Sequence, residues 1–70
     1  MTISIVRTIQ QSSKDTSGFS VILCEVEGVH KYVTWLVDAE NSKHYGNYCS
    51  TFEKAMQSYF ERCKENNLTA

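Results

Sequence analysis

The run Phe19-Ser20-Val21-Ile22-Leu23-Cys24-Glu25-Val26 limits what this chain can fold into more than any other stretch. It reads as a β-strand that is apolar on both faces. Phe19, Val21 and Leu23 point one way, and Ile22, Cys24 and Val26 point the other. A sheet with one wet face alternates apolar and polar residues, and this run does not. Tyr32 to Val37 shares the property, with Val33, Trp35 and Val37 on one side and Tyr32, Thr34 and Leu36 on the other. Both faces of the central strands must therefore be covered by something.

The rest of the chain supplies little to cover them. Thr2 to Ile9 predicts a first strand rich in β-branched residues, and Phe19 to Glu27 the second. Gln10 to Gly18, between them, is a polar stretch ending in glycine and predicts a flexible loop, long for a hairpin. Gly28 turns the chain into a third strand, Lys31 to Asp38. Ala39 to Ser42 turns it again into a weaker fourth strand, Lys43 to Cys49.

One helix follows. Ser50 and Glu53 have capping-box spacing. Phe52, Ala55, Met56, Tyr59, Phe60 and Cys63 then form an apolar stripe of period 3.6, opposite a charged face. Asn66 and Asn67 favour the helix stop, and residues 67–70 read as a frayed tail. The expected fold is a single α+β domain spanning residues 1–70. It is a two-layer sandwich in which a four-stranded antiparallel meander precedes one C-terminal amphipathic helix. This order resembles, in architecture alone, small antitoxin or inhibitor domains of bacterial and phage origin.

Turns of two or four residues fix which side chains share a face. They would set Cys24 against Val33, Ile22 against Trp35, Trp35 against Gly46 and Val33 against Tyr48. One helix, ~10–12 Å across, covers one face. We expect it on the Trp35 side. Phe19, Val21, Leu23, Tyr32, Leu36 and Tyr45 then form the candidate interface, for a homodimer or another protein partner. The competing expectation is closure within the chain, by the long loop, by the tail or by curling of the sheet.

Motifs for other chemistry are weak. The formal net charge of −1 comes from well-mixed residues and offers neither a basic stripe for nucleic acid nor an acidic block. Tyr32, Trp35, Tyr45 and Tyr48 would suit base stacking, but only Lys31 and Lys43 flank them. A nucleic-acid-associated regulator is the second reading. Cys24, Cys49 and Cys63 are odd in number and widely spaced, which argues for reduced, structural cysteines. Cys49 precedes the helix, where a thiol is acidified, yet His44 falls on the opposite face of a regular strand. No paired ligand spacing marks a metal site. Ser50-Thr51 is a cap rather than a phosphate cradle, since no Gly-rich loop accompanies it. No carboxylate pair is placed for acid–base work. We therefore expect no enzyme, no cofactor and no small-molecule substrate. Without a signal peptide or an apolar run near the ~20 residues of a membrane span, the expected location is the cytoplasm.

Overall fold

Two aspartate-led turns organise the sheet of the computed structural model, which describes residues 4–70. Asp15 and Asp38 each open a three-residue hairpin loop, closed by Asp15 N–H to Phe19 C=O at 2.9 Å and Asp38 N–H to Ser42 C=O at 3.0 Å. In the first, Asp15 Oδ1 accepts from the amides of Ser17 and Phe19. In the second, Asp38 Oδ1 accepts from those of Glu40 and Ser42. Each loop ends on a left-handed residue, Gly18 at φ 85° and Asn41 at φ 66°. This is the three-residue hairpin of a type I turn followed by an αL position. The two tips touch: a Cβ at Gly18 would lie 2.7 Å from Ala39 Cβ.

The strands are β1 (Ile5–Gln11), β2 (Ser20–Val26), β3 (Tyr32–Val37) and β4 (Lys43–Cys49), and the helix is α1 (Phe52–Glu65). The sheet is antiparallel in the order β1-β2-β3-β4, the expected meander with a C-terminal helix. No helix among the described residues is long and apolar enough to cross a membrane.

Register follows the turns. The four residues Glu27 to His30 lie between Val26 and Lys31, whose backbones bond at 2.7 Å. This even loop sets Cys24 opposite Val33 and Ile22 opposite Trp35, as expected. The β3–β4 loop is odd, which alone would slip every later pair by one. Leu36 meets His44 and Val37 meets Lys43 in the slipped register, but Thr34 meets Asn47 and Val33 meets Tyr48. A bulge at Tyr45-Gly46 returns the residue. Tyr45 takes the left-handed conformation there, at φ 55°. Gly46 ends against the indole as the sequence predicts, with its missing Cβ 2.8 Å from Trp35 Nε1.

Several expectations need correction. The first strand reaches Gln11, and Ser12 still pairs with Val21 at 2.9 Å, so the flexible loop shrinks to a pinned turn. The Thr2 and Ile3 part of that strand lies outside the described residues. The helix cap is Thr51, whose hydroxyl accepts from Lys54 N–H at 3.3 Å. That leaves Glu53 in the first turn as a dipole partner rather than half of a capping box. The tail is not frayed. Leu68 N–H bonds Cys63 C=O at 2.8 Å and Asn67 N–H bonds Lys64 C=O at 3.3 Å, with Asn67 left-handed at φ 56°. This is a Schellman motif, and its apolar pair is Cys63 with the buried Leu68. Thr69 is tied to Ser13 by two hydrogen bonds, of 2.8 and 2.9 Å.

The helix also takes the other face. Ala55, Tyr59, Cys63 and Leu68 pack on Val21, Leu23 and Cys49, with Tyr32 and Leu36 at the margin. The Trp35 face carries a second buried cluster of Ile22, Cys24, Val26, Val33, Trp35 and Val37, with no helix on it. Both faces of β2 and β3 are apolar, so alternation does not choose between them; the helix covers Val21 and Leu23 with Ala55 and Tyr59, and Trp35 lies on the opposite side.

Candidate interaction site

The six residues expected to form an interface do not form a free surface. Val21 and Leu23 are 0% exposed beneath α1. Tyr32 and Leu36 are half-buried against the same core, and Phe19 is half-buried at the hairpin end of β2. Tyr45 is separated from them by the β4 bulge and is 77% exposed.

The Trp35 face, left without a helix, is closed by the sheet's own margins. Thr8 Oγ1 on β1 lies 3.6 Å from Cys24 Sγ. Lys43 on β4 holds its Nζ 5.9 Å from the Trp35 ring centroid. Residues from both edges line one shallow cavity of about 240 Å³: Ile5, Thr8 and Gln11 from β1, and Lys43 with its neighbour Asn41 from the other side. Ile22 and Val37 complete that lining. Such convergence requires a strongly curled sheet. Two bulges in β1, at Val6 and Ile9, supply twist at one edge, and the Tyr45 bulge supplies it at the other. Trp35 is left only 8% exposed. The cavity falls below the ~300–1,000 Å³ of ordinary ligand pockets, and among the described residues Lys43 is the one charged side chain that lines it.

The residues weighed for chemistry are dispersed. Cys49 is buried, while His44 bonds Asp38 through Nε2–Oδ2 at 2.9 Å beside the β3–β4 turn. That hydrogen bond, followed by the Ser42 amide, holds the Asp38 carboxyl below its ordinary value. Burial pushes the Cys24 and Cys63 thiols up, away from thiolate chemistry. Among the described residues no three His, Cys, Asp or Glu side chains gather as metal ligands. The four sheet aromatics share no platform. Tyr32 meets Phe52 edge-to-face at 5.6 Å on the helix side, Trp35 is buried, and Tyr45 sits at the bulge.

Exposed apolar surface instead collects on α1. Ser58 anchors one flank of the helix to the sheet, within 3.1 Å of Thr34 Oγ1 and accepting from Asn47 Nδ2 at 2.7 Å. The helix lies over β2, β3 and β4, and Ile9 of β1 packs against the margin of the same core. The flank opposite Ser58 carries Phe52, Met56 and Phe60, a row at i, i+4 and i+8. Phe52 is 46% and Phe60 52% exposed, and Met56 is half-buried between them. Phe60 leans edge-to-face on the buried Tyr59 at 5.5 Å, with its outer edge left in solvent. Sequence periodicity assigns Phe52 and Phe60 to the core stripe. The signal that separates them is the width of the stripe, six apolar positions where the sheet receives three buried ones. No known protein family, curated protein or solved structure matches this chain.

Proposed function

We propose that this chain is a small protein-interaction module with no reaction of its own, acting in the cytoplasm of a bacterial or phage system and docking through the outer flank of α1. The observation that carries this reading is the Phe52–Met56–Phe60 row, with two large aromatics half in water on a rigid, capped helix. A small domain gains most by burying such rings, so rings left outside on an anchored helix favour a binding role. The sheet, by contrast, spends its apolar surplus on its own closure.

Chemical denaturation of Phe60→Gln tests the reading. A half-exposed ring held for binding contributes about 1 kcal/mol to the fold, roughly half the full burial value. A loss near the ~3–5 kcal/mol of a core aromatic would place Phe60 in the folding core and overturn the proposal.

A further inference from the structure

The cavity on the Trp35 face has a polar end and an apolar end. Register sets Thr8 against Cys24, Gln11 against Ile22 and Lys43 against Val37, so these side chains turn toward the face opposite α1. Ile5 and Gln11 both line the cavity, and they are the first and last residues of β1. It is therefore a trough, up to roughly 20 Å long at the rise of a β-strand. Gln11, Asn41 and Lys43 gather at the end beside the two aspartate-led turns, where they bring amide and ammonium donors. Ile22 and Val37 floor the middle, and Ile5 lies at the far end. Among the described residues no acidic side chain lines it.

Lys43 is turned inward over this floor. Its Nζ stands 5.9 Å from the Trp35 ring centroid, and among the described residues it forms no ion pair. Asp38, on the strand it pairs with, is engaged by His44 and by the Glu40 and Ser42 amides. Burial pushes the Cys24 thiol up, and the Thr8 hydroxyl and then the Lys43 charge temper that rise, so the ammonium acts as far in as the centre of the sheet. The trough thus joins a cation without a matching anion to an apolar channel. Volume sets the size of what fits: at ~30 Å³ for each water-sized group, about 240 Å³ takes roughly eight non-hydrogen atoms.

We infer that this trough binds a short linear carboxylate of about six carbons, its head on Lys43 beside Gln11 and Asn41, its chain over Ile22 and Val37 toward Ile5. A neutral chain leaves the ammonium unmatched, and an amine is repelled by it. A sugar or phosphate sets polar groups against Ile22 and Val37 without partners. The site lies on the face opposite α1 and does not depend on the helix flank. Because the trough is open to solvent, binding is weak, with Kd on the order of 1 mM.

Trp35 is the single tryptophan of the chain and lies beneath Lys43, so its fluorescence reports occupancy. Titrating the full chain with sodium hexanoate at constant ionic strength is expected to give a saturable change. Amide shifts in NMR should concentrate at Ile5, Thr8, Ile22, Val37 and Lys43. Hexylamine and acetate, which lack the head and the chain respectively, are each expected to bind at least about tenfold more weakly. Lys43→Met should lose about tenfold for hexanoate, and Ile5→Asp, at the far end, should weaken it as well, with circular dichroism confirming that both variants fold. No saturation by about 50 mM hexanoate, equal binding of hexylamine, or an unchanged constant in Lys43→Met overturns the inference. So do shifts that map to Phe52 and Phe60 instead, which would place the acid on the helix flank.

Discussion

Replacing Gly46 by alanine should unsettle this fold although glycine in a strand is ordinarily a weakness. The added Cβ would lie 2.8 Å from Trp35 Nε1, 3.2 Å from Cδ1 and 3.3 Å from Tyr48 Cε1. Ordinary carbon contacts are ~3.5–4.0 Å, so the indole would have to retreat by more than half an ångström. It has little room, being buried in a cluster with Ile22 across the β2–β3 pair. Overpacking of this kind costs about 1–3 kcal/mol. Against it stands the reduced freedom of the unfolded chain, about 0.4–1 kcal/mol, available because Gly46 does not occupy a left-handed conformation. The net expectation is a loss of about 1–2 kcal/mol, or roughly 4–16 °C in Tm for a chain of this size. Urea denaturation followed by circular dichroism reads it directly. In a Trp35→Phe background, which lacks Nε1, the same alanine should cost markedly less. An alanine that stabilises the wild-type chain, or an unchanged penalty in the Trp35→Phe background, would refute the close approach as the cause.

Gly18→Ala should lose about 2–4 kcal/mol, combining a left-handed φ of 85° with a Cβ 2.7 Å from Ala39 Cβ. Adding Ala39→Gly should return part of that loss in thermal melts, and no recovery would rule out the contact between turns. Tyr59→Phe should leave stability equal or higher, because among the described residues the buried Tyr59 hydroxyl has no close hydrogen-bond partner, its polar neighbour being the weakly bonding Cys63 thiol. Burial, and then the neighbouring Cys63, push that phenol up to about 12, above its unfolded value. The folded state therefore holds its proton longer, and stability falls as pH rises from about 10 toward 12. That alkaline fall should flatten in Tyr59→Phe, and an identical alkaline limb would refute the assignment. Asp38, held low chiefly by His44, contributes stability above its ordinary value that is lost as pH drops below about 4. In His44→Ala the Asp38 carboxyl should titrate higher by NMR, and an unmoved midpoint would show that the Ser42 amide suffices.

Much of the architecture is legible in residue pattern. The four strands, the helix and its asparagine stop follow from local chemistry, as do the pairs Cys24–Val33, Ile22–Trp35 and Val33–Tyr48. The last pair is kept only because the Tyr45 bulge cancels an odd loop, an offset no periodicity reveals. The aspartate turns are written in plain sight as Asp-Thr-Ser-Gly and Asp-Ala-Glu-Asn, and their common spacing was the usable signal for both loop lengths. Which face the helix takes is a tertiary property that the pattern does not carry, because both faces of β2 and β3 are apolar. Placing it on the Trp35 side sends Val21 and Leu23 to the interface when they belong to the core. The aromatic flank escaped for the same reason, since a stripe shows which residues are apolar and not how many the sheet admits.

The bulged first strand has a consequence for the chain's behaviour in crowded solution. Ser20–Val26 joins high β propensity to a single charge and no proline, the composition of segments that stack into cross-β fibrils. In the folded chain it is never an edge, because β1 lies on one side of it and β3 on the other. β1 is itself a poor template, kinked at Val6 and Ile9 and carrying Arg7 toward solvent. It therefore acts as a guard strand. Its irregularity, a blemish as pairing, keeps the most aggregation-prone stretch of the molecule out of reach of its neighbours.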